Sequence, residues 1–216
     1  MKTAERILLI SLDLFNHHGE PNVSSVDIAN ELEISPGNLY YHFKGKELII
    51  SALFDLYQRE MSKILSAPNK DKLNIEEFFY YLLLILQVSH KFLFLYRNPA
   101  EISEKYPQVS RSFQRVLASK QKAYAACIQS FAKQGLFVGD SKRQQQMVEL
   151  LGLITTQSPN YHQLLGRDIN DGGYMYQSLA TILFSLAPYF NIEQDVFHSL
   201  TQLIENQNAS TSDHQT

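Results

Sequence analysis

Residues 35–46 read SPGNLYYHFKGK. Ser35 is suited to cap a helix, and Pro36 suits that helix's first position, where the N–H it lacks would have no partner. Leu39 and Phe43 are four apart, share one face and point into a small core. Gly37, Asn38, Tyr40, Tyr41 and His42 are left for the other faces, and Gly45 ends the helix. The stretch holds two lysines and a histidine and no carboxylate. It predicts one short helix, apolar on one side and rich in outward-reaching polar groups on the others.

Just upstream, Ser24 and Asp27 have the spacing of a reciprocal cap, with Asp in the place of the usual Glu. The short helix that follows turns Val26, Ile28, Ala29 and Leu32 inward, and Glu33-Ile34 makes a tight turn into the next helix. Two short helices so joined form a helix-turn-helix pattern. Before them, Thr3 to His18 reads as a helix, with Thr3 as cap, Glu5 in the first turn and Gly19 as the stop. Ile7, Leu8, Ile10, Leu14 and Phe15 form its apolar stripe, and His17 and His18 sit in the last turn, facing the dipole. Downstream, Lys46 to Leu65 forms a longer helix with a broad apolar face that includes Ile49, Leu53, Leu56 and Tyr57. Ala67-Pro68-Asn69 breaks it. The domain division falls inside this helix. Residues 1–47 form the helix-turn-helix domain and 48–206 a larger helical domain, mechanically joined to it.

The rest also reads as helix. From Asn74 to Tyr96 the chain is almost continuously apolar, so this helix is buried on most sides, and Asn98-Pro99 breaks it. Pro99 to Lys105 makes one or two turns. Gln108 to Gln134 is a long helix, and Ser141 caps another to about Ser158, which Pro159 ends or kinks. Gly173 to Phe190 and Ile192 to Glu205 follow. The tail, 207–216, has nothing to bury and is expected to be disordered. No run alternates apolar and polar residues as a half-buried strand would. The fold class is therefore all-α.

Composition narrows the function. Cys127 is the one cysteine, which excludes an internal disulfide and fits a reducing compartment. No apolar run is long enough to span a bilayer, and the N-terminus lacks the pattern of a signal peptide, so a cytoplasmic location is expected. The histidines show no metal-ligand spacing, Cys127 lies mid-helix on an apolar stripe, and 168–173 has Leu179 where a calcium loop needs its bidentate glutamate. No catalytic residue, metal or cofactor is expected. Net charge is −3, and in 1–66 six basic side chains face nine acidic ones. A bulk basic footprint for nucleic acid is absent. The positive charge is local to 35–46.

That local chemistry suits a DNA groove. Asn38 can pair bidentately with adenine, Tyr40 and Tyr41 can bond phosphates or touch thymine methyls, and Gly37 allows close backbone approach. His42, Lys44 and Lys46 can meet phosphates, and Lys46 stands at the next helix's N-terminus, itself an anion site. The first quarter of the chain resembles the DNA-binding domain of the TetR family of bacterial transcriptional regulators. The resemblance rests on Ala4, Ile7, Leu8, Leu14, Phe15 and Gly19, on Asp27-Ile28-Ala29, and on Ser35 to Phe43 followed by Lys44, Lys46 and Glu47. It implies base or near-base contacts from Pro36, Gly37, Asn38 and Tyr41. It implies phosphate contacts from Ser24, Ser35, Tyr40, His42 and Lys46, with Lys44 nearby, and makes Leu39 and Phe43 core residues. Many relatives carry Lys or Arg in place of Pro36, so a bidentate guanine contact from that position is unavailable here.

The resemblance further implies a homodimer on a palindromic double-stranded DNA operator, a repressor by default, and a small-molecule effector. The late helices at about 142–165 and 173–190 are the candidate dimer surface. For the effector, helical spacing groups Phe78, Tyr81, Leu82, Ile85, Phe92 and Tyr96, then Phe113, Leu117 and Tyr124, with Met147, Leu151 and Thr155 closing the wall. Such a lining favours a largely hydrophobic effector. Two other readings fit the same residues: a DNA-binding protein of this pattern without an effector, and a helical protein-interaction module.

Overall fold

The computed structural model describes residues 2–66 and 73–212. The predicted break at Ala67-Pro68-Asn69 lies outside the described residues. Helix α1 spans the expected Thr3–His18 but is capped differently. Lys2, not Thr3, is the residue before it, because the Glu5 carboxylate reaches back to the Lys2 N–H at 3.0 Å. Helix α2 (Ser25–Glu31) opens with the expected reciprocal cap: Ser24 Oγ accepts from the Asp27 N–H, and Asp27 accepts from the Ser24 N–H. Glu33 takes a left-handed φ of 54° in the turn, and the Ile34 N–H closes onto the Ala29 carbonyl. Helix α3 (Pro36–His42) follows, its Ser35 Oγ accepting from the Asn38 N–H at 3.1 Å. Gly45, at φ 120°, makes a turn into the next helix that a side chain would strain. Ile7, Phe15, Ile28, Ala29 and Leu39 are buried in this small core, and Phe43 packs against it half-buried.

Helix α4 (Lys46–Ser66) spans 21 residues, about 30 Å at 1.5 Å per residue. It packs on α1 near its start and on α5 and α8 beyond, through Ile49, Ile50, Leu53, Phe54, Tyr57 and Met61. One rigid element therefore belongs to both parts of the molecule.

The larger part holds α5 (Ile75–Lys91), α6 (Phe94–Arg97), α7 (Pro99–Lys105), α8 (Pro107–Lys133), α9 (Ser141–Leu164), α10 (Gly173–Leu186) and α11 (Gln194–Ser212). Asn74 and Asn98 cap α5 and α7. The apolar run from Asn74 to Tyr96 is not one helix. It breaks after Lys91, and Asn16 of α1 fills the break: its Nδ2 donates to the Lys91 carbonyl and its Oδ1 accepts from the Phe94 N–H, both at 2.9 Å. A side chain from another helix thus satisfies the two backbone groups that the break exposes. Asp140, not Ser141, caps α9, because its carboxylate reaches the Arg143 N–H at 2.8 Å. Nor does Pro159 end α9, which runs on to Leu164 with the Ser158 hydroxyl donating to the Ile154 carbonyl.

Among the described residues the β-structure is one antiparallel bridge between Phe137 and Phe190, tying the α8–α9 turn to the end of α10. The core runs from Phe78, Leu82 and Ile85 of α5 through Tyr124, Cys127, Ile128 and Phe131 of α8 to Leu151 of α9 and Ile182 and Leu183 of α10. The expectation of a disordered 207–216 is corrected as far as Ser212, where α11 ends; the remaining residues lie outside those described. Once an amphipathic segment nucleates a helix, each added residue costs little, so polar residues can extend it. Among the described residues no helix is long and apolar enough to cross a membrane.

Candidate functional site

Helix α3 divides its side chains as its spacing demands. Leu39 is buried, while Ser35, Pro36, Gly37, Asn38, Tyr40, Tyr41 and His42 are exposed, as is Lys44 just beyond the helix. The two tyrosines are the notable pair: Tyr40 is 61% and Tyr41 81% exposed, an unusual state for large rings in a folded domain. Tyr41 rests edge-on against His42. Ser35 Oγ accepts from the Asn38 N–H, which leaves its own O–H able to donate outward. Ser24 differs. Its hydroxyl donates to Asp27 at 2.7 Å, and that bond holds the Asp27 carboxyl below the usual carboxylate range. The Ser24 proton is already committed, and the charge beside it is negative.

Lys46 is placed differently from the other basic groups of this stretch. Its ammonium does not reach outward. It donates to the Glu20 and Val23 carbonyls, both at 2.7 Å, and pairs with Glu20 Oε1 at 2.6 Å. With two carbonyls and a carboxylate around it, the Lys46 ammonium faces inward in this conformation. Glu20 is buried, so its carboxylate needs a cation, and the nearest one is drawn inward. Tyr106 completes the arrangement from the larger part of the molecule, donating to Glu20 Oε1 at 2.6 Å. Burial, and then this bond to Glu20, push the Tyr106 hydroxyl's pKa up. The same seam carries the Asn16 bracket, Phe15 against Phe94 at 5.6 Å, and Arg97 Nη1 donating to the His17 carbonyl. Helix α3 is thus held to the rest of the molecule by α1 and Glu20 as well as by α4.

The expected effector residues fall into the core. Phe78, Tyr81, Leu82, Ile85, Phe92, Tyr96, Tyr124, Met147, Leu151 and Thr155 are buried, and Phe113 and Leu117 are half-buried. The structure joins some of them. Tyr96, Phe92 and Phe113 surround Tyr57 of α4, ring centroids 5.7–6.1 Å from it. Tyr124 bonds Thr155 across α8 and α9 at 3.0 Å. Phe78 stands apart from the Tyr57 group, its ring on Phe79 and Phe131. The Tyr81 hydroxyl is buried without a hydrogen-bond partner, and burial raises its pKa.

Sequence reasoning missed two partners in this group, Ser89 and Lys120. Lys120 sits four residues from both Val116 and Tyr124, at an apolar-stripe position of α8, and that placement was the available signal.

Two concave regions lie elsewhere. A cavity of about 150 Å³ is lined by Phe79, Tyr80 and Leu83 of α5, Leu179 of α10, and Leu200, Leu203 and Ile204 of α11. A cleft of about 500 Å³ runs between α9 and α10, past Leu153, Tyr161, His162 and Gln177. None of the twelve expected effector residues lines either one. Exposed Leu153, Tyr161, Leu164, Leu165 and Phe184 gather on α9, its C-terminal end and α10.

Comparison with known proteins accounts for both parts of the chain. The family model described as bacterial regulatory proteins, tetR family, matches residues 7–53, and that described as bacterial transcriptional repressor, TetR, matches 56–195. A TetR-family transcriptional regulator from Marinobacter aquaeolei VT8 is similar at 25% identity and TM-score 0.80, over 95% of this chain and 98% of that one. The ketosteroid transcriptional regulator KstR2 of Mycobacterium tuberculosis shares the fold at 14% identity and TM-score 0.65, over 88% of this chain and 96% of that one. The TetR family transcriptional regulator PfmR from Thermus thermophilus does so at 17% and 0.64, over 84% and 97%. With both its helix-turn-helix and its larger helical part matched, the chain belongs to the TetR family of bacterial transcriptional regulators.

Proposed function

We propose that this regulator is a repressor that binds a palindromic operator as a homodimer and leaves it when a small, largely hydrophobic effector binds the core. The observation that carries the DNA reading is α3 itself: a capped helix with Leu39 buried and Asn38, Tyr40 and Tyr41 outward, inside a segment that matches the family's DNA-binding part. Pro36, Gly37, Asn38 and Tyr41 face bases, with Asn38 the one side chain able to read adenine bidentately. Ser35, Tyr40, His42 and Lys44 hold phosphates. With Pro36 unable to read guanine, operator choice leans on Asn38, Tyr41 and DNA shape.

The dimer forms through α9 and α10, whose exposed leucines and aromatics are otherwise left in water. It sets two copies of α3 about 34–36 Å apart, or at a related spacing, to reach successive major grooves. The switch is a shift of population. Tyr57 of α4 bonds Tyr96 at 2.6 Å, so a ligand that moves these rings tilts the helix joined to α3. Going from 1% to 99% released needs an effector preference of about 10⁴, roughly 5.5 kcal/mol. Selection of bound fragments from genomic DNA, followed by release assays with metabolites, tests both halves. The reading expects one enriched two-fold-symmetric sequence, released by at least one hydrophobic compound. No enriched sequence would refute the DNA half; enrichment with no release across a broad screen would refute the effector half.

A further inference from the structure

One cluster in the core is left over by a purely hydrophobic pocket. Lys120 is 1% exposed, in the middle of α8, and its ammonium meets hydroxyls only. Nζ lies 3.1 Å from Tyr96 Oη and 3.3 Å from Ser89 Oγ, and sits over the Tyr96 ring at 5.2 Å. Among the described residues no carboxylate is within 4.0 Å of it, whereas the other buried charge, Glu20, is met by Lys46. Among the described residues, two of the three ammonium N–H groups have hydroxyl acceptors and the third has none. A buried ammonium without a counter-charge is costly, by several kcal/mol in general, so such sites are paired, neutral or filled.

The neighbouring hydroxyls are arranged around the same point. Tyr96 Oη is met by Tyr57 Oη at 2.6 Å, by Ser89 Oγ at 3.1 Å and by Lys120. Ser89 donates its one proton to the Ile85 carbonyl, so its oxygen acts as an acceptor toward Lys120. One cation and three hydroxyls from α4, α5, α6 and α8 therefore converge among aromatic rings. The ring that lies on both Tyr57 and Tyr96 and is itself only half-buried is Phe113.

The geometry points to an anion site: Lys120, with the Tyr96 and Tyr57 hydroxyls, takes the carboxylate of an effector that is an organic acid with an apolar body. A single negative charge matches the single cation. A dianion such as a phosphate monoester would leave its second charge unpaired against Phe92 and Phe113. Phe113 is the side chain whose movement admits the acid. Because Tyr57 belongs to α4, a carboxylate that draws on this hydroxyl set acts directly on the helix that carries the DNA-binding part. The inference rests on the effector reading above and sharpens it to a chemical class.

The test compares hexanoate, octanoate, decanoate and benzoate with the neutral primary amide of each, by calorimetry on the full-length protein. The best acid is expected to bind about tenfold more tightly than its amide, the scale of one charge-assisted hydrogen-bond set. Lys120→Met should abolish that preference, and Tyr96→Phe, which keeps the ring, should narrow it. Lys122→Met, which alters an exposed lysine two residues on, should retain it. If Lys120→Met fails to fold, Tyr96→Phe decides. Acids binding no better than amides, a preference that survives in Lys120→Met or is undiminished in Tyr96→Phe, or no acid binding at all, would overturn the site and leave Lys120 a packing residue of the core. Release of bound DNA by the amides as readily as by the acids would overturn it while leaving the effector reading intact.

Discussion

Lys46 shows how one residue changes role once its neighbours are known. Its place in the sequence suits a phosphate contact; its ammonium is spent on Glu20 and two carbonyls. Lys46→Met therefore leaves the buried Glu20 carboxylate short of its main cation, and we expect a stability loss of about 3 kcal/mol in urea denaturation, the lower end for breaking a buried pair. Lys44→Ala should leave stability unchanged and lower the slope of log affinity against log salt by about one, the signature of a single lost phosphate contact. The reverse pattern would restore the ammonium of Lys46 to the DNA. Asn38→Ala should instead relax base preference at one position per half-site by about 1–3 kcal/mol, read by binding to a substituted site series. A uniform loss across all those sites would make Asn38 a phosphate contact.

At the scale of the element, legibility in the sequence follows how local the signals are. Helix α3 was readable because everything that defines it lies within 35–45: the Ser35 cap, Pro36, the Leu39 and Phe43 spacing, and Gly45. The break between α5 and α6 was not. Its apolar residues suit a continuous helix, and what stabilises the break is Asn16, 75 residues from Lys91. Lys120 is not legible as a buried group, because a lysine reads as surface charge unless its position on the Val116–Tyr124 stripe is weighed. The Glu20–Tyr106 bond joins residues 86 apart and left no local trace.

The α5–α10 contact carries a titration of its own. His90 lies against Tyr174, with Gly172 close to its ring, and burial holds its pKa below the ordinary 6.5 against the opposing pull of Asp171. The unfolded chain takes up a proton near pH 6.5 that the folded chain resists, so this contribution is full above that pH and declines as pH falls below it. The Tm should drop between about pH 7.5 and about pH 5.5, and His90→Gln should reduce that drop. An equal drop in the variant would place the effect elsewhere, with His162, shifted down by burial and then by Arg167, the next to test.

For the whole molecule, the proposed function draws on both the seam between the two parts and the exposed face of α9 and α10. Leu153→Asp with Phe184→Asp places two charges on that face, and sedimentation should show monomers. Affinity for a two-fold-symmetric site should then fall by about 10² or more, because the second half-site no longer binds at the raised local concentration that the dimer provides. A dimer that persists would move the interface off these helices. On the proposed function, α3, displayed by this scaffold, reads a specific DNA sequence. The most direct measurement is the affinity of the full-length protein for its selected genomic fragment and for a scrambled fragment of the same composition, across a range of salt. A preference of at least about 10³ for the selected fragment is expected, with both affinities falling steeply as salt rises. Equal affinity for the two fragments, or binding indifferent to salt, would contradict it.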